Sequence, residues 1–268
     1  MTLRLASAAV GIPVLAVFVW IGLPAFSVLI AVLAGIGTWE VCRMAEERGL
    51  DPDIPVAVTW SVALVATGHV FADDLASREL GRALAVILAT AVLFWQVHRS
   101  RVAIGLAGWR ITAAAALYPG GLLAFAPLIR GLDDGREWVF LLVLVTFATD
   151  TAAFTVGKLI GRTPLAPSIS PGKTREGALA GLVAAGLSAV ALSSIFDLAA
   201  SVPAALALGL LMGVAGQAGD LSESRLKRWA KVKDSGTLIP GHGGVLDRLD
   251  SIVFNLALVY PFLLWVVQ

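Results

Sequence analysis

An all-α polytopic membrane protein with about nine transmembrane helices is the fold class the sequence predicts. Three observations carry it. Of the 268 residues, 58% are apolar and 15% charged, against roughly 45–50% and about 25% in soluble domains. The mean hydropathy is +0.85, and the apolar residues fall in runs near the ~20 residues a bilayer crossing needs. The basic residues alternate between rich and poor connections along the chain. The lone cysteine, Cys42, excludes an intramolecular disulfide framework. A formal charge of +1 offers no field for nucleic acid.

The runs are taken in order. Residues 5–22 follow Arg4 and show no small-x-small cleavage site, so they read as a retained span rather than a signal peptide. Residues 24–42 follow at once. Residues 55–71 and 82–97 are shorter and carry polar residues. Residues 111–129, 138–157, 177–196, 203–220 and 250–267 complete the set. No repeat of 20–50 residues is visible. With the N-terminus cytoplasmic, only Arg78, Arg82, Arg130 and Arg136 of the 20 Lys and Arg lie outside. That bias supports a cytoplasmic N-terminus and an external C-terminus. Short length and the lack of a targeting extension lead to the expectation of a bacterial inner membrane.

Two regions follow. Residues 1–137 hold about five helices, and residues 138–268 form the expected catalytic region, with cytoplasmic loops 158–176 and 221–249. Both loops exceed the usual connections of packed helices and concentrate cations, which makes them candidates for binding and chemistry.

Asp220 ends one apolar run, and Asp247 and Asp250 begin the next. Ionisable residues at span depth are costly and mark function by default. Asp247 and Asp250, three residues apart, share a helical face. Hard carboxylate oxygens suit Mg²⁺ completed by phosphate oxygens. Lys227, Arg228, Lys233 and Arg248 supply countercharge for phosphate. Gly241, Gly243 and Gly244 flank His242 and let backbone amides approach an anion.

Ser224-Arg-Leu-Lys-Arg228, Lys233-Asp234 and His242-Gly-Gly-Val-Leu-Asp-Arg-Leu-Asp250 together resemble the signature of the phosphatidate cytidylyltransferase (CDP-diacylglycerol synthase) family. A second block resembles the same family: Asp150 in the sixth run, then Ser170-Pro-Gly-Lys173-Thr174-Arg-Glu176-Gly. Gly172-Lys173-Thr174 is no P-loop, because position 167, where that motif needs glycine, is proline. The resemblance covers residues 146–252. Before Asp150 it rests on hydropathy and Trp39-Glu40 alone. Phe154 and Arg175 depart from the Tyr and Trp common in the family.

The resemblance implies transfer of a cytidylyl group from CTP to phosphatidic acid in the lipid bilayer, releasing pyrophosphate. The lipid phosphate is itself the nucleophile, so no activated side chain is required. Asp220 and Asp247 are the expected Mg²⁺ ligands, with Asp250 as ligand or support. Lys227, Arg228, Lys233 and Arg248 are assigned to phosphate, and His242 to the leaving group or to an orienting hydrogen bond. Ser170, Lys173, Thr174, Ser224, Asp234, Gly243, Gly244 and Asp150 are candidates for substrate binding. For Asp150 an N-cap or an interhelical hydrogen bond stands as the alternative. A monovalent cation such as K⁺ and a homodimer come from the resemblance only. Two other readings stay open: a cytidylyltransferase for a different lipid phosphate, and an ion or phosphate transporter. The transporter would show paired broken helices in two related halves, and no such symmetry is seen.

Overall fold

The computed structural model describes residues 2–72, 105–239, 241 and 243–267, with side chains from residue 9 onward. Its helices are α1 (Thr2–Ile21), α2 (Leu23–Glu46), α3 (Ile54–Ala72), α4 (Leu106–Ala116), α5 (Phe125–Arg130), α6 (Gly135–Ile160), α7 (Arg175–Ile195), α8 (Val202–Ala230) and α9 (Leu246–Phe262). Wide π-type turns, Leu117–Gly121 and Leu263–Val267, join α4 to α5 and extend α9. A two-stranded antiparallel hairpin, β1 (Pro164–Ala166) and β2 (Ser170–Thr174), interrupts the helices. Seven stretches among the described residues are long and apolar enough to cross a membrane, and Ala9–Ile21 of α1 is a shorter apolar helix. The protein is an integral membrane protein. The expected span at 82–97 lies outside the described residues, as does His242.

The expected loop 221–249 needs correction, because α8 continues to Ala230. Hydropathy ends a span where charge begins, but helix persists where charges pair along one face. Lys227 lies 2.8 Å from Glu223, and Ser224 Oγ lies 3.4 Å from Asp220 Oδ1, both at i,i+4 spacing. The helix stops at Lys231, whose φ of 60° is left-handed. The other expected loop, 158–176, contains the hairpin, with Pro164 opposite Thr174 and Ala166 opposite Ser170.

The chain divides into two compact units. The first comprises Met1–Asp133 and Trp229–Arg248, and the second Asp134–Arg228 and Leu249–Gln268. The boundary at 133/134 falls near the sequence boundary at 137/138, whereas 229–248 clusters with the N-terminal helices.

In the first unit, Gly22 (φ 115°) separates α1 from α2, and Pro24 sits in the first turn of α2, where a missing N–H costs nothing. Asp53 Oδ1 accepts from Val56 N at 3.1 Å, capping α3, while Asp53 N donates to Thr112 Oγ1 of α4 at 2.9 Å. A Cβ on Gly120 would stand 2.5 Å from Ser61 Cα, so glycine is what lets that turn touch α3. At Gly121 a Cβ would meet its nearest neighbour at 3.9 Å, an ordinary contact. Phe26, Ile30, Val65, Leu123 and Ile129 are buried.

In the second unit, Gly177 and Gly181 bring α7 against α6. Cβ atoms there would meet Ala153 O at 2.5 Å and Thr149 O at 3.0 Å. This is the small-residue packing expected of membrane helices, which gain little from burying apolar surface in lipid. Asn255 Nδ2 of α9 donates to Thr146 Oγ1 of α6 at 2.9 Å. Leu159, Leu187 and Trp265 are exposed, as lipid-facing side chains are. Trp138, in the first turn of α6, is buried.

Candidate functional site

The second unit gathers most of the expected residues around the end of α8. Asp220 Oδ2 forms an ion pair with Lys173 Nζ of β2. Asp150 on α6 and Asp250 on α9 both feel the field of the Asp220 carboxylate, while Lys173 acts on Asp150 and Lys227 on Asp250. Arg228 Nε donates to the Ile169 carbonyl at 3.3 Å, so the hairpin is tied to α8 at two points. Asp150 is exposed although it lies within the span Gly135–Ile160. A carboxylate facing lipid there would cost several kcal/mol. The charges acting on Asp150 there are those of Asp220 and Lys173.

Local chemistry explains the hairpin. Thr174 Oγ1 accepts from Gly177 N at 3.2 Å and caps α7. The Glu176 carboxylate, in the first turn of α7, accepts from Arg162 N and Thr163 N at 3.2 Å and from Thr163 Oγ1 at 3.0 Å. The block that reads Ser-Pro-Gly-Lys-Thr-Arg-Glu thus builds a strand end and a capped helix, and sets Lys173 beside Asp220. Ser170 is half-buried at the start of β2.

Asp247 belongs to a different network, in the first unit. Its Oδ2 accepts from Ser235 N and Gly244 N, both at 2.8 Å, and lies 2.9 Å from Ser235 Oγ. Ser235 Oγ is also 2.9 Å from Glu40 Oε2. Glu40, six residues before the end of α2, is fully buried, and its two oxygens accept from Val245 N at 2.8 Å and Leu246 N at 2.9 Å. The first amides of α9 have no partner within the helix, and a carboxylate is their best complement. Gly243 adopts φ 84°, and a Cβ on it would lie 2.7 Å from Asp247 Oδ2. The glycine pair of the motif is therefore needed for the turn that presents amides to Asp247. Arg48 lies over the Trp229 ring at 5.9 Å, joining the return of the chain to the end of α2. Lys233, Asp234 and Arg248 are exposed.

Sequence reasoning noted Glu40 only within Trp39-Glu40, without a role, and passed over Ser235 and Glu223. A role for Glu40 was legible by the criterion applied to Asp220, an ionisable residue at span depth. Glu223 is fully buried beside Lys227, and its helical spacing to Lys227 was the available signal. Ser235 carried none.

A divalent cation was expected from the carboxylates. Among the described residues no group of three or more His, Cys, Asp or Glu stands close enough to hold an ion. The donor chemistry nevertheless fits a hard cation: Asp150, Asp220 and Asp250 bring oxygen only.

Residues 2–266 match the family described as "Cytidylyltransferase family". Relatives are named phosphatidate cytidylyltransferase. That of Bacillus subtilis is 35% identical over 246 residues, covering 89% of this chain and 87% of its own. That of Helicobacter pylori strain 26695 is 37% identical over 88% of this chain and 84% of its own. A chloroplastic relative of Arabidopsis thaliana reaches 46%, over 48% of this chain and 36% of its own. The chain belongs to the cytidylyltransferase family.

Proposed function

We propose that the protein transfers the cytidylyl group of CTP to phosphatidic acid, forming CDP-diacylglycerol and pyrophosphate. The relatives over most of the chain bear that name. The observation in the molecule that carries the reading is the cluster of Asp150, Asp220, Lys173 and Lys227 on membrane-spanning helices and the hairpin attached to them. Such a cluster suits a phosphate that must stay attached to acyl chains.

An oxygen of the lipid phosphate attacks the α-phosphorus of CTP, a new P–O bond forms, and the bond to the β-phosphate breaks, releasing pyrophosphate. The protein's work is positioning and charge neutralisation. Lys173, Lys227 and Arg228 are assigned to phosphate oxygens, with Ser224 and Ser170 as hydroxyl donors. Lys233, Asp234, His242 and Arg248 are assigned to the nucleotide side, and Gly243 and Gly244 to the turn that holds them. Asp220, Asp247 and Asp250 are the proposed Mg²⁺ ligands; the ion would neutralise the triphosphate and polarise the phosphorus centre. Thr174, whose oxygen also caps α7, and Asp150 are assigned to substrate binding. A monovalent cation such as K⁺ and a homodimer complete the proposal, with the site facing the cytoplasm of a bacterial inner membrane.

The test is consumption of labelled CTP by the purified, detergent-solubilised protein with phosphatidic acid and Mg²⁺. The Asp247→Ala variant is run in parallel. Phosphatidate-dependent CDP-lipid and pyrophosphate, lost in the variant, support the reading. Turnover with only a different lipid phosphate replaces the substrate, and no turnover in folded protein overturns the reaction.

A further inference from the structure

We infer that Glu40 is a positioning residue for the motif segment 233–248, holding Ser235 and the start of α9 so that Asp247 keeps one orientation. The inference rests on the proposed reaction for its catalytic consequence, and on geometry alone for its structural part.

Glu40 is fully buried and so cannot touch substrate. What it touches is backbone and Ser235: Val245 N at 2.8 Å, Leu246 N at 2.9 Å and Ser235 Oγ at 2.9 Å. The same Ser235 hydroxyl lies 2.9 Å from Asp247 Oδ2. A hydroxyl has one proton. Ser235 Oγ therefore donates to Glu40 or to Asp247 at a given moment, and one side chain couples two carboxylates. Asp247 keeps the Ser235 and Gly244 amides whichever way the hydroxyl turns.

The segment is shaped for this intruding side chain. A Cβ on Gly236 would come within 2.7 Å of Glu40 Oε1, and one on Gly244 within 2.5 and 2.6 Å of the two Glu40 oxygens. Both glycines leave the slot the carboxylate fills. A buried carboxylate is tolerated only when hydrogen-bonded in this way. Removing it strands two amides at a helix start and frees the hydroxyl that steadies Asp247. Groups supporting ligating side chains typically change activity by about 10- to 100-fold when lost.

The test uses the full-length protein in detergent and two variants, Glu40→Gln and Ser235→Ala. Amide hydrogen exchange by mass spectrometry reads segment 235–247 without reference to any substrate. Steady-state turnover reads kcat and the KM for CTP. For Glu40→Gln we expect at least tenfold faster exchange confined to peptides spanning 235–247, kcat lowered about 10- to 100-fold and the CTP KM within about threefold of wild type. Ser235→Ala keeps every backbone bond and is expected to lower kcat about threefold, with faster exchange in the same peptides. Wild-type exchange and turnover in Glu40→Gln would overturn the inference. So would a global rise in exchange in Glu40→Gln together with unchanged Ser235→Ala, since Glu40 would then serve the fold at large. Should Glu40→Gln not fold, Ser235→Ala decides alone. Wild-type protein inert toward CTP and phosphatidate, yet showing local exchange changes in the variants, would remove the reaction and leave the positioning role standing.

Discussion

The Lys227 ammonium lies 2.8 Å from Glu223, a carboxylate with no exposed surface, one turn earlier on α8. Taking one charge from such a pair leaves the other desolvated, which typically costs ~3–5 kcal/mol, whereas removing both is far cheaper. Lys227→Met is therefore expected to lower the midpoint of thermal unfolding in detergent sharply. The double variant Glu223→Gln/Lys227→Met should recover most of that loss without recovering activity. A double variant as unstable as the single one would show that the pair is not what Lys227 contributes to the fold.

Lys173 and Asp220 make a contrasting pair. Their side chains are 27% and 30% exposed, and pairs nearer to solvent are worth about 1 kcal/mol or less. Lys173→Ala should unfold within a few degrees of wild type while kcat/KM for CTP falls at least about tenfold, the range expected for loss of a phosphate-binding cation. Lys158→Ala, on α6 with its ammonium 5.9 Å from the Phe154 ring, should leave kcat/KM unchanged. Equal losses in both variants would show a dependence on overall charge and not on the contact with Asp220.

The glycines divide by what a methyl group would meet. At Gly244 a Cβ would lie 2.1 Å from Ser235 Oγ, while at Gly172 nothing lies within 4 Å. Gly244→Ala is expected to abolish turnover or folding. Gly172→Ala, beside Lys173 but in open space, should keep at least half of wild-type kcat. Expression level, thermal midpoint and CTP turnover check both. An active Gly244→Ala would mean that the turn relaxes, and that the network around Asp247 is looser than its distances imply.

Much of this was legible from the residues, and what was not has a physical cause. Length and hydropathy located the spans because each crossing needs its own run of apolar residues. They misplaced the end of α8, since the Glu223–Lys227 pair carries helix past the last apolar turn. Asp220 and Asp250 were found as charges beside apolar runs, and Asp150 through the block that resembles the family. The partners of Asp247 were not, because two of its bonds come from the Ser235 and Gly244 amides, and a backbone donor leaves no mark on the sequence. Glu40 and Ser235 are 195 positions apart, and no local pattern joins them. Thr174 shows a role the motif did not announce: its Oγ1 accepts from Gly177 N and caps α7, which leaves its proton to donate.

Orientation and the span at 82–97 can be settled by one labelling series. Cys42 is fully buried, so the natural sequence offers a nearly silent background for introduced thiols. Exposed positions Glu47, Asp133, Arg162 and Ser201 lie at or between helix ends. Each substituted by cysteine should react with a membrane-impermeant maleimide from one side only. With a cytoplasmic N-terminus, Asp133→Cys and Ser201→Cys label on intact cells, and Glu47→Cys and Arg162→Cys only after lysis. The pair Glu47 and Asp133 carries the sharper information. Between them lie α3, residues 82–97 and the stretch Leu106–Arg130. They fall on opposite sides when 82–97 crosses the bilayer and on the same side when it does not. Labelling of both from one side would therefore remove a span and with it the odd count of crossings. Labelling of Arg162→Cys on intact cells would place the hairpin, and Lys173 with it, outside the cell, where CTP is absent, and would overturn the proposed placement of the site.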